Sequence, residues 1–267
     1  MNQNIFKIID TEEKAYWLGF IYADGSVDNR HKRLKVTLSD VDEHHLLKLQ
    51  KFLGHDKPLH KYKEKPFNLD SDYLCKPQVE LSVYSVELFN SLQVFGIIPN
   101  KTYNFCLDIS SIPDHLHKHF WRGMIDGDGC VVLTDKSRVI QLTGHEETCK
   151  IFLNHIKEHF TTNVSILPDK SVFTVKFTKT LAGKIARYFY KDATVYLERK
   201  YEKAMMITGC ENPVVKTPIT VIHMGIFKFH YDSIKSFCKD YNLNYKNVYY
   251  AYKKHGCYLD FQFVSAT

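Results

Sequence analysis

Tyr16-Trp17-Leu18-Gly19-Phe20-Ile21-Tyr22-Ala23-Asp24-Gly25-Ser26-Val27 recurs as Phe120-Trp121-Arg122-Gly123-Met124-Ile125-Asp126-Gly127-Asp128-Gly129-Cys130-Val131, an offset of 104 residues from Tyr16 to Phe120. The repetition extends beyond these segments. Arg33-Leu34-Lys35-Val36-Thr37-Leu38-Ser39 and Arg138-Val139-Ile140-Gln141-Leu142-Thr143 keep nearly the same offset, and both alternate as strands do. A helical stretch comes next in each copy. Then come the alternating strands Val79-Glu80-Leu81-Ser82-Val83 and Phe173-Thr174-Val175-Lys176-Phe177, each succeeded by an apolar-periodic helix ending in a basic position, Lys101 or Lys200. The pattern is α-β-β-α-β-β-α twice over, an α+β fold of two pseudo-symmetric halves, residues 1–110 and 111–210. The first half carries a longer polar stretch, His60 to Pro77, that includes Lys61, Lys63 and Lys65.

A helix opening near Asp10, with Glu13 at capping-box spacing, places Gly19 and Ala23 four apart and so on one face. Gly123 and Gly127 do the same in the second copy. Small residues at that spacing let two helix backbones approach closely, so the two helices are expected to pack through these faces across a pseudo-twofold axis. Each helix ends in Asp-Gly, where glycine is the expected left-handed residue. The aspartate is electrostatically odd, because the carbonyl end of a helix carries about half a negative charge. Pairing the helices brings Asp24 and Asp128 together, and a hard divalent cation such as Mg²⁺ would stabilise that cluster.

The 267 residues suffice for one large or two ordinary domains, and 44% hydrophobic with 25% charged residues is a globular composition. No apolar run reaches the ~18–20 residues of a membrane span, and the opening Met1-Asn2-Gln3-Asn4-Ile5-Phe6 lacks signal-peptide order, so an intracellular location is expected. Seven cysteines without a Cys-x-x-Cys pair read as free core thiols. The net charge of +6 suits a polyanionic partner, and the excess lies in residues 111–210 and 211–267.

The segments Trp17 to Gly25 and Trp121 to Gly129 resemble the signature of LAGLIDADG homing endonucleases in their two-motif, single-chain form. Gly19, Ile21, Ala23, Asp24 and Gly25 match the first signature; Gly123, Ile125, Asp126, Asp128 and Gly129 match the second. Tyr22 departs from the usual first aspartate, a position that caps the helix and binds no metal, and Asp126 is expected to cap structure likewise. The resemblance covers roughly residues 10 to 205. It implies saddle-shaped sheets over double-stranded DNA, bound by a monomer. It also implies a metal-dependent double-strand break with short 3′ overhangs at a long, asymmetric target, as in intron homing. Asp24 and Asp128 would bind Mg²⁺, with Mn²⁺ as a substitute, helped by the carbonyls of Ala23 and Gly127. Lys101 and Lys200, at the start of the last helix of each half, would orient water and stabilise phosphorane-like charge. Asp40 would fill an auxiliary place whose counterpart, near Gly144, has no side chain.

Base recognition would use strand faces and hairpins: Arg30, Lys32, Arg33, Lys35 and Thr37 in the first half, Lys136, Arg138 and Gln141 in the second, extended by Lys61, Lys63, Lys176 and Lys179. Residues 211–267, after a proline-containing linker, resemble the small helix-turn-helix modules appended to such nucleases. Tyr245, Lys246, Asn247 and Tyr249 would head the second, groove-entering helix of a mostly helical module. A non-cleaving nucleic-acid-binding protein of the same fold, an intron maturase or a transcriptional regulator, is the alternative. Retention of both aspartates and both lysines favours cleavage.

Overall fold

Nine consecutive residues, Ala15 to Ala23, are buried on every side of the first helix, α1 (Glu12–Asp24), so this helix lies inside the protein and not on it. It is capped by Thr11, whose hydroxyl accepts from the Lys14 amide at 3.3 Å; Asp10, the expected cap, instead takes the Lys14 ammonium at 2.7 Å. The computed structural model describes residues 1–66, 74–99, 101, 105, 107–134, 137–209, 219–225, 227–231, 234–244, 247, 248, 251, 252 and 256–265. The chain forms two compact units, Met1–Cys210 and Glu211–Thr267.

After α1 come β1 (Gly25–Asp28), β2 (Arg33–Ser39), a 3-10 turn (Asp40–Asp42), α2 (Glu43–Phe52), β3 (His60–Tyr62), β4 (Lys65–Pro66), β5 (Leu74–Cys75), β6 (Gln78–Tyr84) and α3 (Val86–Val94). Among the described residues of the second half, α1, β1, β2, α2, β3, β6 and α3 recur as α4 (Asp114–Asp128), β7 (Gly129–Leu133), β8 (Arg138–Gly144), α5 (Glu146–His159), β9 (Leu167–Asp169), β10 (Val172–Thr178) and α6 (Lys179–Tyr190), and α7 (Glu198–Gly209) follows. The sheet order β1-β2-β6-β3 recurs as β7-β8-β10-β9. Gly25 pairs with Val36 but Gly129 with Leu142, so the second hairpin is two residues longer.

The two signature helices meet backbone to backbone, and the meeting is reciprocal. A Cβ on Gly19 would lie 2.0 Å from the Phe120 carbonyl oxygen, and one on Gly123 would lie 2.1 Å from that of Tyr16, the repeat partner of Phe120. The pseudo-twofold axis thus runs between α1 and α4. Gly25 and Gly129 correct the expected left-handed stop: both are extended, with φ of −81° and −87°. They are glycines because the chain turns straight into β1 or β7, where a Cβ would meet the oxygen of Ile21 or Ile125 at 2.5 Å.

On β2 the alternation buries Leu34, Val36 and Leu38 and turns Arg33, Lys35, Thr37 and Ser39 the other way. On β8 and β10 the buried partners are Ile140, Leu142, Val175 and Phe177. Among the described cysteines, Cys149 and Cys238 are buried whereas Cys130 and Cys257 are exposed. Among the described residues no helix is long and apolar enough to cross a membrane.

The unit Glu211–Thr267 corrects the mostly helical expectation. Helix α8 (Ile234–Asp240) and helical residues 247, 248, 251 and 252 fall in the two expected segments. They are accompanied by a four-stranded antiparallel sheet, β11 (Ile219–His223), β12 (Phe227–Tyr231), β13 (Cys257–Tyr258) and β14 (Phe261–Ser265), ordered β12-β11-β14-β13. Phe237 and Val248 pack with Ile219, Val221, Phe261 and Phe263 in one small core. The sheet brings together strands from both ends of the segment, a long-range pairing that local helical periodicity does not reveal.

Candidate functional site

Because α1 and α4 each run straight into a strand, their last residues, Asp24 and Asp128, stand at one end of the paired helices. A Cβ on Gly127 would touch that of Ala23 at 2.4 Å and approach Asp24 Oδ2 to 3.2 Å, so this glycine is what lets the helix ends close up. Asp24 is half-buried, and Asp128 opens to solvent on one side. Among the described residues no hydrogen bond or ion pair reaches either carboxylate. Burial, and then the charge of Asp128, push Asp24 up to about 6, against the pull of Lys200, Lys101 and Arg199. Asp128 is raised too, by burial, against Lys101 and Lys200.

A raised carboxylate means that the folded chain holds its proton more tightly than the unfolded chain does. Stability therefore falls as pH climbs from about 4 through about 6, and the whole cost is present at neutrality. Without divalent cations, Asp24→Asn is expected to stabilise the protein near pH 7 by about 1–3 kcal/mol, with the gain disappearing below about pH 4, as read by urea denaturation at the two pH values. Two crowded carboxylates of like charge, with no hydrogen-bond donor among the described residues, fit a hard divalent cation, which would supply the missing positive charge.

The two lysines solve the other half of the electrostatic problem. Lys200, buried in the first turn of α7, donates to the carbonyls of Ile125 (2.8 Å), Asp126 (2.6 Å), Gly127 (3.0 Å) and Gly129 (2.8 Å). Lys101, in the connection after α3, donates to Ala23 (3.2 Å) and Gly25 (2.6 Å). Each ammonium therefore caps the orphan carbonyls of a signature helix and offsets the negative end of its dipole. Burial lowers both lysine pKa values. The carbonyls of Ala23 and Gly127 are thus engaged by lysines in this structure, and the three protons of Lys200 are shared among four acceptors. Lys200→Met is expected to cost about 2–4 kcal/mol by leaving buried carbonyls unpaired, and more than Lys101→Met, as measured by chemical denaturation.

Asp126 is a fully buried junction. Its carboxylate accepts from the hydroxyls of Tyr16 (2.7 Å) and Tyr190 (2.6 Å) and from the Leu197 amide (2.8 Å), which ties α1, α4 and α6 to the approach to α7. Tyr22, at the matching place in the first half, is buried with its ring 6.4 Å from that of Phe120 and the Lys101 ammonium 6.0 Å from its centroid. The sequence reading missed three neighbours. Arg122, buried, bonds Glu12 at 2.7 Å and the carbonyls of Phe189 and Val195 at 3.0 Å. Arg199 grips both oxygens of Asp42, at 2.9 and 3.0 Å, and its charge reaches Asp24. Glu198 binds Lys48 and His44 of α2. The adjacency of Glu198 and Arg199 to Lys200 was the available signal, but their partners lie more than a hundred residues away.

Asp40 is exposed in the turn after β2. Since Gly25 pairs with Val36, Thr37 is level with Asp24, and Asp40 lies about 10 Å further along at ~3.3 Å per residue. The same register matches Gly144 with Leu38 and Asp40 with Glu146, so the glycine opposite Asp40 that the repeat offset suggests is not its counterpart.

One face of the first sheet carries Ser26, Lys35 and Ser82 in one row and Thr37, Glu80 and His60 in the next. Lys35, Thr37, Tyr62, Lys63, Lys76, Gln78 and Glu80 line a cavity of about 220 Å³ there. Glu80 is buried, with its carboxylate 3.6 Å from the Lys35 ammonium. In the second sheet Gln141 pairs with Lys176 on the corresponding face. Arg30 is exposed in the β1–β2 hairpin, and Arg33 lies 3.7 Å from Asp28. Lys32 turns its ammonium over the Phe89 ring at 4.6 Å. Lys61 pairs in register with Val79, on the opposite face, and bonds Glu43. Arg138 shares the parity of Ile140 and not of Gln141, and Lys179 opens α6, exposed. Asn247 is exposed, its amide 3.4 Å from Asn244 Oδ1. Lys136, Tyr245, Lys246 and Tyr249 lie outside the described residues.

Among solved structures, the homing endonuclease I-WcaI bound to its DNA recognition sequence aligns over 73% of this chain and 87% of its own, with a TM-score of 0.51 and 15% identity. The chain has the LAGLIDADG fold. The I-LtrWI LAGLIDADG homing endonuclease bound to target DNA aligns over 75% of this chain and 91% of its own (TM-score 0.45, 14% identity). Full-length DUF199/WhiA from Thermatoga maritima aligns over 79% of this chain (TM-score 0.49, 18% identity), and the alignment spans 66% of that protein's length. No protein-family model and no curated protein matches the sequence.

Proposed function

We propose that the protein is a site-specific endonuclease that makes a Mg²⁺-dependent double-strand break, with short 3′ overhangs, in a long asymmetric DNA target. The observation that carries this reading is the Asp24–Asp128 pair: two crowded carboxylates at the joined ends of α1 and α4, without a hydrogen-bond donor among the described residues and both raised by burial. Asp24 and Asp128 would hold the cation. When bound, it supplies Lewis-acid activation of water and charge stabilisation at the scissile phosphate. Lys101 and Lys200 keep positive potential behind the helix ends, where phosphate charge builds up. Lys35, Thr37, Gln141 and Lys176, on the polar sheet faces, would meet the duplex as a monomer's two unequal hands. The inequality comes from the longer second hairpin and from Tyr22 in the place that Asp126 takes in the second half. Residues 211–267 would add a further DNA contact.

A second reading, a non-cleaving DNA-binding protein, is favoured by one observation: Lys200 spends its donors on helix carbonyls and keeps none for water or phosphate. Both readings require specific binding. Selection of bound duplexes from a random library, without divalent cation, is expected to return one long non-palindromic sequence. Lys35→Ala and Lys176→Ala should weaken that binding and reduce its salt dependence by about one counterion each. Failure to enrich any sequence would remove both readings.

A further inference from the structure

We propose that the last turn of α5 is a binding site for a Zn²⁺-class cation, formed by His155, Glu158 and His159 and separate from the Asp24–Asp128 pair. These residues stand at i, i+3 and i+4 and so share one helix face. One ligand atom from each lies within 4.8 Å of the other two. His155 is buried, and its ring is fixed: the Tyr188 hydroxyl of α6 sits 3.2 Å from Nε2, while Nδ1 turns towards Glu158 Oε2 at 3.8 Å. With the Nε2 proton on the tyrosine oxygen, Nδ1 presents its lone pair, which is how metal-ligating histidines are usually held. The His159 ring packs on Tyr188 at 4.8 Å and lies 4.9 Å from the His155 ring. One tyrosine thus positions both imidazoles.

Two imidazoles and a carboxylate form a borderline nitrogen and oxygen set that suits Zn²⁺ better than Mg²⁺ or Ca²⁺, with the fourth position left to water. Bonds of ~2.0–2.2 Å require ligand atoms about 3.3–3.6 Å apart, a distance the exposed Glu158 and His159 reach by side-chain rotation. The location adds to the fit, because a cation at the end of α5 meets the negative end of the helix dipole. Nothing in the DNA-cleavage reading uses these residues. The cation would pin the end of α5 against α6.

The test is a Zn²⁺ titration of the full chain, stripped of metal, in competition with a chromogenic chelator. Wild type, His159→Ala, Glu158→Gln and the double variant Asp24→Asn with Asp128→Asn are compared. The expected result is a site of one Zn²⁺ per chain, present in wild type and in the double variant and weakened at least about tenfold in His159→Ala and Glu158→Gln, since loss of a mere outer-shell partner already costs about 10–100-fold. Zn²⁺ should also raise the melting temperature of wild type but not of His159→Ala. Both altered side chains are exposed, so equal melting of the metal-free proteins verifies the fold. Equal Zn²⁺ affinity in wild type and His159→Ala, or no stoichiometric binding in wild type, would overturn the proposal. Replacing Zn²⁺ with Co²⁺ identifies the donors: spectra free of thiolate charge-transfer bands support the site, and strong thiolate bands assign the metal to cysteine and contradict it.

Discussion

Gly123→Ala is expected to lower the melting temperature by about 10 °C, corresponding to about 3–5 kcal/mol, and Gly19→Ala by a similar amount. A methyl group at either position would stand about 2 Å from a backbone oxygen of the opposite helix. Neither the oxygen nor the helix that carries it can rotate away, so the whole pair must part, and the shared core of Trp17, Phe20, Trp121 and Met124 must part with it. Gly183 provides the contrast. In the interior of α6 its added Cβ would meet a single atom, the Ile207 oxygen, at 3.4 Å. Gly183→Ala should therefore be neutral or stabilising by up to about 1 kcal/mol through helix propensity alone. Thermal unfolding of the three variants side by side separates close helix contact from a general penalty for adding a methyl group.

The second large effect is on chemistry. Asp24→Asn and Asp128→Asn are each expected to lower Mg²⁺-dependent cleavage at least about 10³-fold while sequence-specific binding persists. The same substitution at Asp24 should make the cation-free protein more stable near neutral pH, because it removes a carboxylate that the fold holds uncomfortably. Loss of activity with gain of stability is the signature of a site kept for function at a cost to folding. Cleavage assays and urea denaturation on the same preparations decide the matter. An Asn variant that cut normally would detach the aspartates from the reaction.

Much of this architecture was legible in the repeated segment. The offset of 104 residues gave the two halves, the Gly19/Gly123 spacing gave the reciprocal helix contact, and period-2 alternation placed Leu34, Val36 and Leu38 inside. What escaped was long-range or conformational. A glycine after an aspartate reads as a left-handed stop, yet Gly25 and Gly129 are extended and are needed for the close approach of Ile21 and Ile125. The insertion of two residues in the second hairpin shifts the register, so that the sequence offset matches Asp40 with the wrong position. Lys101 and Lys200 were legible as basic groups beside the aspartates. Their role as caps on helix carbonyls was not, because capping from 70 or more residues away leaves no local pattern. In the C-terminal unit, helical periodicity hid a sheet whose strands come from both ends of the segment.

Cleavage is tested most directly by incubating the protein with a randomised duplex library and Mg²⁺ and sequencing every end produced. The expected ends cluster at one long asymmetric site, carry short 3′ overhangs, and are absent when Asp24→Asn with Asp128→Asn replaces the wild type. A protein that enriches a bound sequence yet produces no ends with either Mg²⁺ or Mn²⁺ would contradict the endonuclease and leave the non-cleaving DNA-binding protein in its place.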